Sequence, residues 1–417
     1  MKKATIIQLL VGALILLQGS CIKQNQVETS LTAKEVFKLY GPNALAFGGY
    51  RHQSRDTVPS VADLKEDMLI LNQMGCHLIR TYHTQQFGQV SNLLKAIAEL
   101  KEEKSDFSMY VMLGAWVQCK EAWTKTPIHQ KEDLANNQAE IQAAIKFAQK
   151  YPDIIKVIAV GNEAMVHWAS GYYVEPEVIL SYVEQLQNLK KQGELSANIW
   201  ITSSDNFASW GGGGKEYHKP ALTELIRSVD YVSLHTYPFH DTHYNPSFWK
   251  LDSTQTTATA SAEILMGKAL EYAQRQYYNT VSFVHRIDSS KAVHIGETGW
   301  ASHDVKLYGK KGSKAADEFK QQLYYQKVRK WCKDSSIACF YFEAFDEPWK
   351  DATAAGGSEN HFGLITVDGK VKGALWREFD HYKLSQFKRG NYLKKNHNGD
   401  TSKLVLTLLT NPQDSSQ

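Results

Sequence analysis

The sequence VHIGETGW at residues 293–300 has the pattern of a buried β-strand that ends at a carboxylate. Its first three residues are apolar or β-favouring, a glycine then allows a tight turn, and Glu297 follows. A charge at the end of a buried strand must be paired or used, because burying an unpaired charge is costly. A second segment, IKVIAVGNE at residues 155–163, repeats the pattern and ends at Glu163. We therefore interpret Glu163 and Glu297 as candidate catalytic groups.

The rest of the chain alternates between apolar segments of strand length and amphipathic segments of helical length. The strand pattern occurs at residues 44–50, 76–82, 109–116, 155–163, 199–202, 231–235, 293–297 and 338–342. Eight parallel βα units close into a barrel, so the predicted fold is α/β, a (β/α)8 TIM barrel. The active site of such a barrel lies at the carboxyl ends of its strands. We expect Glu163, on the fourth strand, to face Glu297, on the seventh.

Length and charge limit the possible domains and partners. The 417 residues are enough for one large barrel domain, which we place at residues 36–387. The formal net charge is only +3 and no nucleic-acid-binding motif is present, so we expect no nucleic-acid partner. We expect the protein to be a monomer. Residues 388–417 are polar and basic and are predicted to form a C-terminal tail, whose one apolar patch at residues 404–409 either packs as a further strand or is disordered.

The first residues have the composition of an export signal. Lys2 and Lys3 precede an apolar run at residues 4–17, which predicts a signal peptide over residues 1–20. The following Cys21 resembles the lipidated cysteine of a bacterial lipoprotein, and an ordinary secretory signal is the alternative. Residues 21–35 would then be a tether. We expect an exported protein of the cell envelope, anchored by a lipid on Cys21 at the periplasmic or outer-membrane surface.

The remaining cysteines and the clustered histidines do not predict a metal site. The four cysteines after Cys21 show no zinc-binding spacing. Cys332 and Cys339 could form a disulfide after export, and four buried thiols are the alternative. Three histidines lie close together near the sixth strand but match no metal motif: His235, His240 and His243. We expect neither a metal nor another cofactor.

Three stretches carry a resemblance to glycoside hydrolase family 17, the β-1,3-glucanase type of barrel-fold retaining enzymes. VGNE at residues 160–163 resembles the acid/base motif, and IGETGWAS at residues 295–302 resembles the nucleophile motif. FDEPWK at residues 345–350, followed by ENHFGL, resembles the signature of the eighth strand. Two positions depart from the pattern, with Ala301 where proline is common and Asp346 where asparagine is usual.

The resemblance implies a double displacement by two carboxylates. Glu297 would be the nucleophile that attacks the anomeric carbon, and Glu163 would be the acid/base. Retention requires the two carboxyl groups to lie ~5–5.5 Å apart. Their pKa values must diverge, so that Glu163 is protonated while Glu297 is ionised.

Further residues match positions that bind substrate in the family or its clan. Asn162 is expected to bind the sugar 2-hydroxyl, Tyr237 to donate to the nucleophile, and Arg80 to keep Glu297 ionised. A turn residue, a packed aromatic and a structural salt bridge are the respective alternatives. The other expected substrate-binding residues are Tyr82, Trp300, Glu347, Lys350 and Glu359. We expect Trp300 to lie beneath a sugar ring.

The resemblance implies hydrolysis of a laminarin-like β-1,3-glucan, with endo or exo action undecided. A β-1,3-glucan transglycosylase using the same residues is the nearest alternative. A non-catalytic sugar-binding lipoprotein on a barrel scaffold, or a clan relative acting on β-1,4 or mixed linkages, are the others.

Overall fold

The computed structural model describes residues 31–251 and 257–410 and shows a closed barrel of eight parallel strands. The strands are β1 (Leu45–Ala46), β2 (Leu78–Arg80), β3 (Tyr110–Ala115), β4 (Ile155–Asn162), β5 (Trp200–Asn206), β6 (Val232–His235), β7 (Val293–Gly299) and β8 (Cys339–Phe342). They pair in chain order, and β8 closes against β1 with Leu45 opposite Tyr341. The predicted (β/α)8 barrel is confirmed.

Helices cover the outside of the barrel and link its strands. They are α1 (Ala33–Tyr40), α2 (Val61–Gln73), α3 (Gln89–Glu103), α4 (Leu134–Lys150), α5 (Pro176–Gln192), α6 (Pro220–Ser228), α7 (Pro238–Tyr244), α8 (Ala258–Ile287), α9 (Glu318–Asp334), α10 (Trp376–His381) and α11 (Thr401–Val405). Local signals set their ends. Ser60 and Asp63 form a capping box that starts α2, and Gly193 ends α5 in the left-handed conformation that glycine favours.

Helix α1 closes the amino-terminal end of the barrel. Its Phe37 ring lies 5.1 Å from the ring of Tyr231, which immediately precedes β6, and 5.9 Å from that of Phe340 in β8. These aromatic contacts fill one end of the barrel with side chains. The cleft lies at the other end, where the strands reach their carboxyl termini.

The amino-terminal boundary of the folded domain differs from the prediction. Helix α1 starts at Ala33, inside the predicted tether at residues 21–35, because Thr32 and Glu35 form a capping box. The predicted signal peptide and Cys21 lie outside the described residues. Among the residues that the structure describes, no helix is long and apolar enough to cross a membrane.

The predicted C-terminal tail packs against the barrel in the part of it that the structure describes, and its apolar patch enters a short helix rather than a strand. Arg389 is 1% exposed, and its Nε donates to the buried carboxylate of Asp67 over 3.1 Å. Leu404, in α11, packs into the main apolar core. An ion pair and an apolar anchor therefore hold this segment against the barrel as far as residue 410. Composition suggested a tail because most of the residues around these two anchors are polar.

The four cysteines of the described chain are free and buried. Of the two alternatives left open by the sequence, the structure therefore shows the thiols.

Candidate active site

The end of β4 turns Glu163 into the cleft. Gly161 has φ +77°, and a Cβ there would lie 2.9 Å from the Cβ of Ala164, so only glycine fits. The register with β5 shifts at this point, and Glu163 itself has φ +47°. Its backbone N–H donates to the carbonyl of Ser204 over 3.0 Å, which holds the turn in place. The Glu163 side chain is 14% exposed and faces the cavity.

The end of β7 holds Glu297 among fixed donors. The preceding Gly296 makes room for the neighbouring strands, because a Cβ there would lie 2.2 Å from Oγ of Ser233. Arg80 Nη1 donates to Oε1 of Glu297 over 2.9 Å, and the Tyr237 hydroxyl donates to Oε2 over 2.9 Å. The nucleophile candidate is therefore held by a donor on each oxygen.

The two candidate carboxyls meet around His235. One carboxyl oxygen of Glu163, one ring nitrogen of His235 and one carboxyl oxygen of Glu297 all lie within 4.8 Å of one another. This separation is close to the ~5–5.5 Å of retaining glycosidases and too short for the ~6.5–9.5 Å of inverting ones. Three such groups could also hold a divalent cation. Arg80 already supplies a positive charge to Glu297 from within hydrogen-bond distance, so the pair does not need a metal to be stable.

The pKa values of the two carboxyls diverge. Burial, followed by the negative charge of Glu297, raises the pKa of Glu163 to about 8. Burial also opposes ionisation of Glu297, but charge on His235 and Arg80 and the hydroxyls of two tyrosines lower its pKa below the ordinary value of 4.5. Burial itself lowers the pKa of His235 to about 4, so Arg80 is the cation that persists at neutral pH. One carboxyl is therefore protonated while the other is ionised.

The contacts of His235 fix its tautomer. Arg80 Nη1 lies 3.0 Å from Nε2 of the ring, and a guanidinium can only donate. We therefore assign the lone pair of the neutral ring to Nε2, which also lies 2.8 Å from Oγ of Ser204, and its proton to Nδ1. Nδ1 lies 3.1 Å from Oε1 of Glu163 and 3.6 Å from Oε2 of Glu297. His235 thus donates toward the acid/base candidate, a role that sequence analysis missed although the residue ends β6.

Arg80 joins Asn162 and Tyr82 to the same site. Its Nη2 donates to Oδ1 of Asn162, so the amide oxygen of Asn162 faces Arg80. The Arg80 guanidinium lies 4.9 Å from the centre of the Tyr82 ring. Asn162 and Tyr82 both line the cleft beside Glu163 and Glu297. The structure therefore brings these residues together with the two carboxyls and with Tyr237.

Charged residues of the eighth-strand region also line the cleft. Lys350 Nζ donates to Glu343 over 3.0 Å and lies 3.4 Å from Glu347. Glu347 in turn accepts from the backbone N–H of Tyr50 over 3.1 Å. Glu359 lies on the same cleft wall. Glu343 does not itself line the cleft but positions Lys350, and sequence analysis missed it although a charge directly after an apolar strand is the signal that identified the catalytic candidates.

The prediction for Trp300 is wrong. Its side chain is completely buried and does not line the cleft. The indole Nε1 donates to the carbonyl of Ala315 over 2.8 Å, and the ring packs against Phe239 and Tyr324. The residue directly after β7 thus points into the layer between barrel and helices, where an indole with a satisfied N–H is a stable core residue.

The departure at Asp346 has a local explanation. Its Oδ1 accepts from Nζ of Lys372 over 2.7 Å, and both side chains are buried. The carboxylate that stands in place of the usual asparagine is therefore neutralised by a buried lysine. Asp346 does not line the catalytic cleft, so this departure leaves the cleft wall unchanged.

The cleft has a volume of about 1580 Å³ and a large aromatic surface. Trp349 lines the cleft beside the eighth-strand region, and a second aromatic group stands apart from it: Trp116, Trp123, Trp168 and Tyr172. Their loops follow β3 and β4. Loop positions of this kind carry no periodicity, so only the folded chain shows that they meet.

Comparisons with known proteins agree with this geometry. The BtgE/BtgC glycoside hydrolase domain matches residues 44–363. The glucan 1,3-beta-glucosidase of Arthroderma benhamiae is 26% identical over 317 residues, which are 75% of this chain and 83% of that protein. The endo-laminarinase from Formosa Hel1_33_131 is 50% identical, with a TM-score of 0.89 over 93% of this chain and 99% of that one.

A more distant solved structure shares the fold. The glycoside hydrolase family 17 β-1,3-glucanosyltransferase from Rhizomucor miehei is 20% identical, with a TM-score of 0.54 over 81% of this chain and 97% of that one. The family match covers more than half of the described barrel and includes both strand-end glutamates. The chain belongs to the BtgE/BtgC glycoside hydrolases of family 17.

Proposed function

We propose that the protein is an endo-acting, retaining β-1,3-glucanase. The observation that carries this proposal is the pair of strand-end carboxyls, with ligand atoms within 4.8 Å and opposite pKa shifts, in a long cleft. The spacing supports retention. The similarity to an endo-laminarinase over almost the whole chain supports a laminarin-like substrate.

In the first step, ionised Glu297 attacks the anomeric carbon and forms a glycosyl ester. The bond from that carbon to the leaving oxygen breaks, and Glu163 gives its proton to this oxygen. The pKa of about 8 keeps Glu163 protonated at neutral pH. Arg80 and Tyr237 hold Glu297 in place and favour its ionised form until it attacks.

In the second step, Glu163 takes a proton from an incoming water, whose oxygen attacks the same carbon and releases Glu297. The product keeps the β configuration, because two inversions follow each other. His235 donates to the Glu163 carboxylate formed after the first proton transfer. This contact stabilises the base form that the second step requires.

The shape of the cleft supports endo action. Three strands separate β3 from β7 in either direction around the closed barrel, so their loops lie on opposite sides of the mouth. Trp123, after β3, and Leu307, after β7, both line the cleft and are 64% and 40% exposed. The catalytic pair therefore lies between exposed cleft-lining side chains on opposite sides of the mouth, which supports binding of glucan on both sides of the cleaved bond.

The central test uses linear laminarin and three variants. We expect Glu297→Gln and Glu163→Gln to lose at least ~10³-fold in kcat/KM, because each removes a group that acts in the transition state. Glu224→Gln is the matched control, since Glu224 is exposed on α6 and pairs only with Arg227 among the contacts of the described chain. Wild-type turnover by Glu297→Gln would refute the proposal.

Three further measurements test retention, the role of Glu163 and the size of the products. Proton NMR of the first product should show the β anomer, and an initial α anomer would contradict retention. Adding azide to Glu163→Ala with an activated glucoside should give the β-glycosyl azide. Early digestion of laminarin should give products of many intermediate chain lengths. Release of glucose alone would contradict endo action. Products longer than an oligosaccharide substrate would indicate transglycosylation.

We further propose that the protein is exported, anchored by a lipid on Cys21, and monomeric. The support is the sequence pattern at residues 1–21, with its lysines, apolar run and small residues before the cysteine. Mass spectrometry of the membrane-extracted protein should find a diacylated N-terminal cysteine, and an unmodified N-terminus would contradict the anchor. Light scattering of the enzyme without its first 30 residues should give the monomer mass; a dimer mass would contradict the monomer.

A further inference from the structure

Two tryptophans at the cleft rim are exposed to a degree that is unusual for large apolar side chains. Trp123 is 64% exposed and Trp168 is 61% exposed. Both line the cleft that contains Glu163. Exposed aromatic surface is costly in water, and where it forms a patch it marks a binding site. We define the aromatic platform as Trp116, Trp123, Trp168 and Tyr172.

Three members of the platform, Trp116, Trp123 and Tyr172, are held by ring stacking, and the two indoles share one acceptor. The Trp123 ring stacks on that of Tyr172 with centroids 4.8 Å apart and planes at 28°, and on that of Trp116 at 6.3 Å and 24°. The indole N–H groups of Trp116 and Trp123 both donate to Oε1 of Gln118, each over 3.2 Å. Gln118 is itself fixed, because its Nε2 donates to Asp133 over 3.0 Å.

The backbone around Trp123 is specialised for presenting the ring. Trp123 has φ +66° and Glu121 has φ +57°, in the left-handed region that non-glycine residues rarely adopt. The backbone N–H of Trp123 donates to the carbonyl of Gly171 over 2.7 Å, and this bond ties the loop after β3 to the loop after β4. A Cβ at Gly171 would lie 3.2 Å from the indole. Strain of this kind persists where function requires it.

The platform is connected directly to the catalytic strand. The Tyr172 hydroxyl donates to the backbone carbonyl of Asn162 over 3.4 Å, and Asn162 precedes the acid/base candidate. The flat indole faces are therefore continuous with the cleft. Their surface is apolar and planar, which fits the C–H face of a β-glucosyl ring and gives no charge for an ionic partner.

We propose that the aromatic platform is a binding subsite for a glucosyl unit of the β-1,3-glucan, with Tyr172 at its catalytic end and Trp123 and Trp168 at the rim, outside the cleaved bond. The proposal rests on the glucanase function above. Because stacking and the Gln118 acceptor hold the rings of Trp116, Trp123 and Tyr172 before substrate arrives, little entropy of these side chains is lost on binding. The subsite adds affinity for long chains and leaves the chemical step on short substrates unchanged.

The test compares Trp123→Ala and Trp168→Ala with Tyr392→Ala. Tyr392 is 59% exposed but does not line the cleft, so it is the matched control. We expect each tryptophan variant to raise KM for a laminarin chain about tenfold, the effect of losing one well-packed aromatic contact. Their kcat, and their kcat/KM on a short aryl laminaribioside, should stay at the wild-type value. Trp123→Phe should restore most of the lost affinity.

Binding to the Glu297→Gln enzyme gives an independent readout. Calorimetry with oligosaccharides of increasing length should show a gain in affinity at one length, and Trp123→Ala added to this variant should remove that gain. Equal affinity with and without Trp123, or equal loss on short and long substrates, would overturn the proposal. If Trp123→Ala does not fold, Trp168→Ala decides by the same criteria. Failure of the glucanase function itself would appear differently, as a wild-type enzyme that does not cleave laminarin.

Discussion

Removing the charge of Glu297 should lower the pKa of Glu163. At 4.8 Å two unit charges interact by about 3.5 kcal/mol with an effective dielectric constant of about 20, equivalent to roughly 2.5 pKa units. The true effect is smaller, since each charge is spread over two oxygens and burial contributes more to the raised pKa than the charge does. For Glu297→Gln we expect a fall of about 1–2 units from the value of about 8.

The pKa can be measured directly by carbon NMR of protein labelled at the glutamate side-chain carboxyls. The Glu163 signal is assigned by its absence in Glu163→Gln. Glu359→Gln is the matched control, because Glu359 lines the same cleft. Of the five groups and effects that shift the pKa of Glu163, Glu359 contributes least. Glu359→Gln should therefore change the pKa of Glu163 far less than Glu297→Gln does. A Glu163 pKa that stays near 8 in Glu297→Gln would show that the two carboxyls are not coupled and would refute this reasoning.

The same pair sets the pH dependence of activity in the wild-type enzyme. Activity needs protonated Glu163, so kcat/KM should fall as pH rises through about 8. It also needs ionised Glu297, whose pKa is lowered, so the acid limb should lie below pH 4.5. Because the two carboxyls interact, the pKa values read from the two limbs belong to the pair and not to either residue alone. An alkaline limb near the ordinary glutamate value would contradict the assignment of Glu163 as the acid.

Three other substitutions have defined outcomes. Arg80→Met removes the cation that favours ionised Glu297, so the acid limb of kcat/KM should move to higher pH; an unmoved limb would contradict that role. Tyr237→Phe removes one donor to Glu297 and should reduce kcat/KM about tenfold at unchanged thermal stability, and wild-type kinetics would contradict it. Arg389→Met should destabilise the protein by about 3 kcal/mol in urea unfolding, because the fully buried Asp67 loses a partner; an unchanged midpoint would show that the C-terminal segment is dispensable.

The barrel and the catalytic pair were predictable because their signals are local. Each strand is a short apolar run, and a barrel places the ends of all such runs at one face. Glu163 and Glu297 were identified by the same feature, a carboxylate directly after a buried strand. The closed strand order then brings residues that are distant in sequence to within hydrogen-bond distance of Arg80.

The errors and omissions have a common physical cause. Trp300 follows a catalytic strand in sequence, but one residue of extended chain reverses the direction of a side chain, and its indole enters the core. Trp123 sits in a left-handed loop conformation that no periodicity indicates. Arg389 is anchored by Asp67, a residue far away in the chain. Side-chain direction, loop conformation and long-range pairing all depend on the folded chain.

The orientation of His235 determines how the site can handle protons. Its Nε2 accepts from Arg80, which cannot lose a proton, so the ring cannot turn its lone pair toward the carboxyls without losing that bond. Nδ1–H therefore remains a donor to Glu163 throughout the cycle. A neutral donor stabilises the carboxylate form of Glu163 without adding the charge that would keep it ionised at rest. Burial and Glu297 raise the pKa of Glu163 while Arg80 and His240 limit the rise, so the same side chain can give a proton in the first step and take one in the second.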